Sequence, residues 1–337
     1  MITEQVSMQK QRFAKITGTG IGIPPNTLSN QDLEKIVDTS DEWIRSRTGI
    51  ENRFIASDDQ TTSDLASEAA ENALKDAGLS ASQVDMIILA TITPDFGFPS
   101  TAVMVQKNIG AHNAAAFDIS AACTGFIYGL QMADSLIKAG KAETILVLGA
   151  EMLSRLTDYT DRNTCVLFGD GSGAVVVQAT DKAGTGILAT DIYSDGRLHN
   201  LLRVDGLGVK NPPSHESVDA KLHYIKMEGR EVFKYAVTSM GDAAEAIIKA
   251  ANLTSDDVNL LISHQANIRI IDATAKRIHI PPEKVFVNVH KYGNTSAASI
   301  PIAIYEARQQ GRLTAGSTAI LVAFGGGLTW GAAAVRF

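Results

Sequence analysis

The sequence predicts an α/β fold built from two similar halves, and three observations support that prediction. Helical patterns alternate with short strand patterns along the chain, which is the element order of α/β proteins. The strand patterns are nearly continuous in Val, Ile, Leu and Ala, as expected for sheets that are covered on both faces. The second half also repeats the element order of the first. Within the 337 residues we therefore expect two halves, residues 1–180 and residues 181–337.

The first half contains two helix patterns and four strand patterns, separated by Gly78 and Gly140 among other breaks. In chain order these are a helix at 65–77, strands at 86–90 and 115–119, a helix from about Cys123 to Lys138, and strands at 144–149 and 173–179.

The second half repeats this order closely enough to indicate a tandem duplication. Residues 69–89 align with residues 243–263 without a gap, and eight of the 21 positions are identical. Residues 145–147 match residues 320–322 in sequence, and the strand at 173–177 matches 331–335. Helix amphipathicity alone could produce some of these identities. Residues 195–219 have no counterpart, and their Gly, Pro, Asn and His content predicts an excursion over the surface or over a site mouth.

Composition narrows the classes of protein. Thirty Lys and Arg against 37 Asp and Glu give a net charge of −7, which disfavours broad nucleic-acid binding but leaves room for a local basic patch. No apolar run approaches the ~18 residues of a membrane helix, and residues 1–13 lack the apolar core of a secretory signal. Cys123 and Cys165 alone form neither a disulfide framework nor a multi-cysteine zinc site. We expect a cytoplasmic protein that does not associate with membranes.

Cys123 lies where a buried strand pattern ends and a helix begins, among small residues. A helix N-terminus favours a thiolate, so this position predicts a lowered thiol pKa and a nucleophile. The alternative is an inert core cysteine, and Cys165 fits that alternative better than Cys123 does.

His264 and Asn294 also lie at predicted strand ends. His264 follows the strand at 259–262, and Asn294 lies between a predicted strand at 285–289 and a helix. Open α/β sheets place their sites at such ends, although a structural histidine fits His264 equally well when it is taken alone. The duplication places Asn294 close to the position equivalent to Cys123, so the two turns should face each other and unite Cys123, His264 and Asn294 in one site.

Two glycine-rich segments follow strand patterns. In residues 324–328 three glycines would let backbone N–H groups approach a ligand, or would simply form a tight connection. Residues 168–173 are interpreted as a structural turn between strands. Neither segment has the spacing of a nucleotide-binding loop.

Together these segments resemble the β-ketoacyl-[acyl-carrier-protein] synthase III family, the initiating condensing enzymes of fatty acid synthesis in the thiolase-like superfamily. The resemblance runs from about Ala14 to Phe337. It rests on strings that occur in the family's order: Asp41-Glu42-Trp43-Ile44, Arg47-Thr48-Gly49-Ile50, Cys123-Thr124-Gly125-Phe126, Phe168-Gly169-Asp170-Gly171, His264-Gln265-Ala266-Asn267, Gly293-Asn294-Thr295-Ser296-Ala297-Ala298-Ser299 and Phe324-Gly325-Gly326-Gly327.

The resemblance implies a duplicated five-layer αβαβα thiolase-like fold, a homodimer and an acyltransferase. In that chemistry Cys123 takes an acyl group from a short acyl-CoA, acetyl-CoA above all, with the N–H groups of Cys123 and Gly326 as the oxyanion hole. His264 and Asn294 then bind malonyl-acyl-carrier protein, whose decarboxylation yields the attacking enolate. The products are 3-oxoacyl-acyl-carrier protein, CO2 and CoA. No metal or other cofactor is expected.

The resemblance also assigns binding residues. Those of the CoA site are Thr39, Trp43, Arg47, Arg162, Phe233 and Asn267, and those of the acyl pocket are Phe98, Phe168 and Phe324, with Phe98 reaching the partner subunit's pocket. An acidic carrier protein needs a basic dock, for which we predict Lys234, Arg269, Lys276 and Arg277. Without the resemblance, Trp43 would be interpreted as a core residue, and the cations of the CoA site and of the dock would be interpreted as solvated surface charges.

The chain departs from the family at two places. Arg230 stands where some members have Asn, and residues 195–219 form a longer loop than in compact members. The resemblance places both near the mouth of the substrate tunnel. The nearest alternative is a related Cys-His-Asn condensing enzyme of polyketide or quinolone type. Asn294 argues against elongating synthases and thiolases, which use other residues there. The Trp43/Arg47 and 293–299 strings favour the initiating synthase.

Overall fold

A computed structural model describes residues 11–337 of the chain, so the prediction about the first residues falls largely outside the described part. Thirteen strands are described: β1 (Phe13–Gly22), β2 (Asn26–Ser29), β3 (Asn52–Ile55), β4 (Met86–Ala90), β5 (Ala115–Ile119), β6 (Thr144–Met152), β7 (Asp170–Thr180), β8 (Gly186–Ser194), β9 (Leu202–Val204), β10 (Ile225–Met227), β11 (Leu260–Ser263), β12 (Thr318–Gly325) and β13 (Thr329–Arg336).

The α-helices of the same residues are α1 (Asn30–Leu33), α2 (Asp41–Thr48), α3 (Thr62–Ala77), α4 (Thr101–Asn108), α5 (Gly125–Lys138), α6 (His215–Asp219), α7 (Gly229–Ala250), α8 (Ile268–Arg277), α9 (Val289–Tyr292) and α10 (Ser299–Gln309). Within residues 11–337, no helix combines the length and the apolar character that a membrane crossing requires.

Two large sheets share one topology. The first has the strand order β1-β7-β6-β4-β5 and the second has the order β11-β12-β13-β8. Each sheet contains an equivalent parallel pair, β4 with β6 and β11 with β12, and the next strand, β7 or β13, is antiparallel to its neighbours; the first sheet has one more parallel strand, β5, beside β4. The strands of the first sheet end at Thr180, and those of the second begin at Gly186, whereas β2 with β3 and β9 with β10 form two small separate sheets.

Five layers stack around three apolar clusters. Residues of α5 and α10 form the central helix layer, which packs against both sheets. Helices α3 and α4 cover the outer face of the first sheet, and α7 and α8 cover the outer face of the second. Because each sheet is buried on both faces, its strands carry unbroken apolar runs. The predicted duplicated αβαβα fold is confirmed.

A constant offset of 174 residues relates the two halves over their conserved part. It superimposes β4 on β11, and it places the 3₁₀ turn Ala122–Thr124 on the 3₁₀ turn Ser296–Ala298. Both turns begin with a non-glycine residue at positive φ, 46° at Ala122 and 49° at Ser296. The predicted match of 69–89 with 243–263 has this same offset. Asn294, three residues before the equivalent of Cys123, is therefore near but not at the equivalent position.

The predicted match of 145–147 with 320–322 is wrong by one residue. Ile145 pairs with Met86, and Ala319 pairs with the equivalent Leu260, so Ile145 corresponds to Ala319. Ile145 and Ala319 both face the central helices, whereas Ile320 faces the outer layer. A shift of one residue reverses the face of every side chain in a strand. The match of 173–177 with 331–335 holds, because Ile145 pairs with Val177 and Ala319 with Val335.

Three predicted elements differ in the structure. Residues 285–289 form only an isolated bridge between Val285 and Leu261 before α9 begins. Residues 170–173 belong to β7 rather than to a turn. Glycine is required at position 173 because α10 lies against the strand, and a Cβ there would come 2.7 Å from Ile302 N. Cys123 lies in the 3₁₀ turn, and α5 begins two residues later.

Each half sends a segment over to the other. Leu33, Ile44 and Ile50 are fully buried in the cluster that α7 and α8 form with the second sheet. Residues 195–219 contain β9 and α6, and part of this excursion lies beside Ala122 and Gly326, over one side of the site.

Candidate functional site

Cys123 lies in the 3₁₀ turn between β5 and α5, and its side chain is 8% exposed. The turn can lie against the end of β12 because Gly325 has no side chain; a Cβ there would be 2.6 Å from Cys123 N. Burial raises the thiol pKa to about 12, although the nearby hydroxyl of Ser296 opposes that shift. The predicted lowering of this pKa is wrong, because desolvation of the buried thiolate outweighs the effect of the helix N-terminus.

His264 follows β11 directly, and its backbone N–H donates to Val322 O at 2.8 Å. Its Nδ1 lies 2.6 Å from Ser299 Oγ, at the start of α10. Burial lowers the imidazole pKa to about 3, so the ring is neutral around pH 7. One ring nitrogen is therefore held by Ser299, and the other is available to the cavity.

Asn294 is fixed by its own backbone and by its amide oxygen. Asn294 N donates to Leu167 O at 2.8 Å, and Gly169 N donates to Asn294 O at 3.1 Å. The side-chain Oδ1 accepts from Ser296 N at 2.9 Å. This bond assigns the oxygen of the amide, so Nδ2 remains as the donor for a ligand.

One cavity unites the three predicted residues, and its empty space, with the open mouth included, is about 670 Å³. Cys123, His264 and Asn294 all line it, and most of the other lining residues are apolar. They include Phe168, Phe324 and Phe233, together with the polar Asn267. A second cavity of about 410 Å³ lies on the other side of Cys123, bounded by Phe168 and Gly326. Cys123 therefore stands between two mainly apolar spaces, with neutral hydrogen-bond donors on one side.

Two of the residues predicted for CoA, Phe233 and Asn267, line the first cavity, and the other four lie outside its lining. The guanidinium of Arg162 stands 4.5 Å from the ring centre of Trp43, and it also lies 3.7 Å from Asp38. Asn267 donates from Nδ2 to Arg47 O at 3.1 Å, which ties α2 to the start of α8. Among residues 11–337, the buried Thr39 Oγ1 is one of the side-chain oxygens without a hydrogen-bond partner.

The remaining predicted residues lie on the surface. Phe98 is 89% exposed and is absent from the lining of both cavities. Arg269 lies over the ring of Phe233 at 5.3 Å. Lys234 and Lys276 are exposed. Arg277 differs from the expectation of a solvated cation, because it contacts Asp242 and lies 3.9 Å from Glu245 on α7.

Sequence reasoning gave no role to three polar residues of the site: Ser296, Ser299 and Glu151. Ser296 and Ser299 belong to the quoted string 293–299, but their contacts with Cys123 and His264 are visible only in the structure. Glu151 carries a signal that could have been used, since it is the one charged residue in the otherwise apolar strand β6.

Comparison with known proteins gives one consistent family. Residues 117–196 match the model of 3-Oxoacyl-[acyl-carrier-protein (ACP)] synthase III, and residues 248–337 match that of its C-terminal part. A β-ketoacyl-[acyl-carrier-protein] synthase III of Aquifex aeolicus is 53% identical over 96% of this chain and 99% of its own length. One of Xanthomonas campestris is 49% identical, over 98% of this chain and 100% of its own.

Solved structures agree with these relatives. The crystal structure of the Aquifex aeolicus 3-oxoacyl-[acyl-carrier-protein] synthase III superimposes with a TM-score of 0.90 at 52% identity, covering 96% of this chain and 100% of that one. A priming β-ketosynthase of a polyketide pathway also reaches 0.90, but at 32% identity, with 97% of each chain covered. The higher identity to the initiating synthases disfavours the polyketide alternative. The chain belongs to the β-ketoacyl-[acyl-carrier-protein] synthase III family.

Proposed function

We propose that this chain starts fatty acid synthesis by condensing a short acyl-CoA, acetyl-CoA above all, with malonyl-acyl-carrier protein. The observation that carries the proposal is the placement of Cys123, His264 and Asn294 on one largely apolar cavity. A nucleophile and two neutral donors suit acyl transfer followed by decarboxylation. The two steps require no metal or organic cofactor, because the cysteine holds the acyl group and the donors stabilise the charge.

In the first step the sulfur of Cys123 attacks the acyl-CoA thioester, and CoA leaves. The amides of Cys123 and Gly326 would stabilise the oxyanion, since the backbone of 325–326 lies against the cysteine turn. The acyl chain would occupy the cavity bounded by Phe168 and Gly326.

In the second step malonyl-acyl-carrier protein enters the larger cavity. The free nitrogen of His264 and Nδ2 of Asn294 would donate to its thioester carbonyl, and loss of CO2 would leave an enolate held by the same donors. Phe168 and Phe324 supply the apolar surroundings, which favour loss of the carboxylate and keep water from the enolate. The enolate then attacks the acyl group on Cys123.

Substrate delivery follows the same geometry. Trp43 and Arg162 would enclose the adenine of CoA once their present 4.5 Å contact opens to admit the ring, with Arg47 toward a phosphate and Thr39, Phe233 and Asn267 along the pantetheine path. The exposed cations Lys234, Arg269 and Lys276 would receive the acidic carrier protein, with Arg277 contributing least because it is already paired.

The proposed assembly is a homodimer in the cytoplasm. Phe98 and Phe96 are 89% and 54% exposed, and they occupy the same loop. Large apolar side chains exposed together are typical of interaction surfaces. A second subunit would bury them, with Phe98 at the partner's acyl cavity.

The test is to incubate the protein with acetyl-CoA and to measure its intact mass, beside the Cys123→Ser variant. We expect a mass gain of one acetyl group for the wild-type chain and no gain for the variant. Addition of malonyl-acyl-carrier protein should then remove the acetyl group from the wild-type chain. A mass gain only with branched or longer acyl-CoA would change the starter. Failure of every acyl-CoA to acylate Cys123 would contradict the proposal.

A further inference from the structure

Glu151 is a fully buried carboxylate that the proposed steps do not use. Its Oε2 accepts hydrogen bonds from Thr93 Oγ1 at 2.7 Å, Ile92 N at 3.1 Å and Thr91 Oγ1 at 3.3 Å. Its Oε1 accepts from Ser296 Oγ at 3.0 Å. Burying a carboxylate that has no cationic partner among residues 11–337 costs folding free energy. Such a group beside a nucleophile is a candidate for a role in the reaction.

Ser296 connects this carboxylate to the nucleophile. Ser296, whose hydroxyl donates to Glu151, is also close enough to Cys123 to oppose the rise in the pKa of its thiol. Ser296 and Cys123 both line the smaller cavity, at the facing 3₁₀ turns that the duplication created. Ser296 therefore contacts Oε1 of Glu151 and lines the same small cavity as Cys123, which is the placement that a proton carrier between the two would need.

The thiol needs such a carrier because it must lose its proton before it can attack. Burial keeps Cys123 protonated at neutral pH, and it keeps His264 too weakly basic to serve as the acceptor. Burial also raises the pKa of Glu151 to about 7, which matches a base that works near neutral pH.

We propose that Glu151 stores the proton of Cys123, through Ser296, for the lifetime of the acyl-enzyme. This inference rests on the proposed function. Ser296 contacts the reacting sulfur, whereas Glu151 acts through Ser296 and is a positioning residue.

The proton balance closes over the cycle. In acylation the S–H bond breaks, the proton passes to Ser296 Oγ, and the serine proton passes to Glu151. The sulfur forms its bond to the acyl carbon, the thioester bond of CoA breaks, and the CoA thiolate takes a proton from water. In condensation the enolate displaces the Cys123 thiolate, which recovers its proton from Glu151 by the same path.

Titratable groups lie on the elements packed against the carboxylate. Cys123 lies on the facing turn, and Asp170 lies on the adjacent strand β7, opposite Met152. Farther from the carboxylate, His264 shares the larger cavity with Cys123, and the charged Arg203 shares the smaller cavity with Cys123 and Ser296. Asp170 accepts from Ala56 N and from Ser154, so it has its own donors. Glu151 is the one carboxylate with a resolved electrostatic effect on the Cys123 thiol.

The experiment measures the rate of alkylation of Cys123 by iodoacetamide across pH, which requires no acyl substrate. In the wild type the rate should rise with pH and level off above about pH 7, where Glu151 is ionised. In Glu151→Gln the rate should keep rising about tenfold per pH unit, and near pH 7 it should be about 10²-fold lower. An inflection that survives in Glu151→Gln would overturn the proposal.

Two further variants keep the test decisive if Glu151→Gln folds poorly. Ser296→Ala should remove the same inflection, and the backbone tolerates it because Ala122 holds the equivalent φ of 46°. Thr93→Val removes a donor to Oε2, so it should move the inflection to higher pH while preserving the path. An unchanged profile in Ser296→Ala would contradict the path. If the alkylation rates depend on pH as expected but acetyl-CoA does not acylate the protein, the proposed substrate would be refuted, and the proton transfer through Ser296 to Glu151 would still stand.

Discussion

Replacing Ser299 by Ala should slow decarboxylation of the malonyl substrate and spare acylation of Cys123. Ser299 Oγ lies 3.4 Å from Gln265 N, from which it accepts, and 2.6 Å from His264 Nδ1. We assign the hydroxyl proton of Ser299 to the bond with Nδ1, which leaves Oγ accepting from Gln265 N alone. A neutral ring that accepts at Nδ1 carries its proton on Nε2, the nitrogen on the side away from Ser299. The serine thus selects the tautomer that can donate to a thioester carbonyl.

The magnitude follows from that single hydrogen bond. A buried hydrogen bond contributes about 0.5–1.5 kcal/mol net, and the short contact places this one at the upper end. Since 1.4 kcal/mol corresponds to a factor of ten, we expect decarboxylation to fall about tenfold. Acylation, which makes no use of Nε2, should stay within about twofold.

The assay separates the two half-reactions. CO2 release from malonyl-acyl-carrier protein reports decarboxylation, and intact mass after rapid quenching reports acylation by acetyl-CoA. Ser263→Ala is the matched control, because this buried serine also neighbours His264 but contacts only its carbonyl, at 3.4 Å. Equal slowing of both half-reactions by Ser299→Ala, or an equal effect of Ser263→Ala, would refute the role assigned to the tautomer.

Three other outcomes are expected. Gly149→Ala should lower the free energy of unfolding by about 3 kcal/mol in urea titrations, because its Cβ would lie 2.2 Å from Ala297 O; Gly208→Ala, with open space around it, should change it by less than about 0.5 kcal/mol. Trp43→Ala should raise the KM for acetyl-CoA about tenfold through loss of stacking, with kcat nearly unchanged; a normal KM would remove Trp43 from the CoA site. Burial raises the pKa of Glu151 from 4.5 to about 7, so its stabilising contribution is complete below pH 4.5 and is lost as pH rises through 7. The glutamine of Glu151→Gln cannot ionise, so between pH 4.5 and 7 the Tm of the wild type should fall relative to that of the variant. Parallel curves of Tm against pH for the two proteins would disprove the raised pKa of Glu151.

The duplicated α/β fold could be predicted from the sequence because the repeat reveals the two halves and the apolar strand patterns reveal sheets that are buried on both faces. The offset of 174 found at 69–89 holds in the structure because both copies pack a helix on a sheet in the same way. The match at 145–147 failed because three consecutive apolar residues fit either register when both faces of a strand are buried.

The site was predicted only in part. Cys123, His264 and Asn294 could be located because each follows a strand pattern. The contact of Ser299 with His264 spans 35 residues, and that of Ser296 with Glu151 spans 145, so no local pattern reports them. The direction of the Cys123 pKa shift was missed for a related reason, since a cysteine's sequence neighbours do not show how far the folded chain excludes water from its thiol.

The burial of Ile44 and Ile50 against the far half has a consequence for synthesis of the chain. Their segment leaves the ribosome well before Ile268, whose side chain lies against Gly49. At about 5–20 residues per second, the intervening chain takes roughly 10–40 s to make. During that interval the apolar face of α2 lacks its partners on α7 and α8 and is exposed to chaperones. Helix α2 also carries Trp43 at the rim of the site, so the emerging polypeptide acquires its complete substrate entrance only after the C-terminal half has folded.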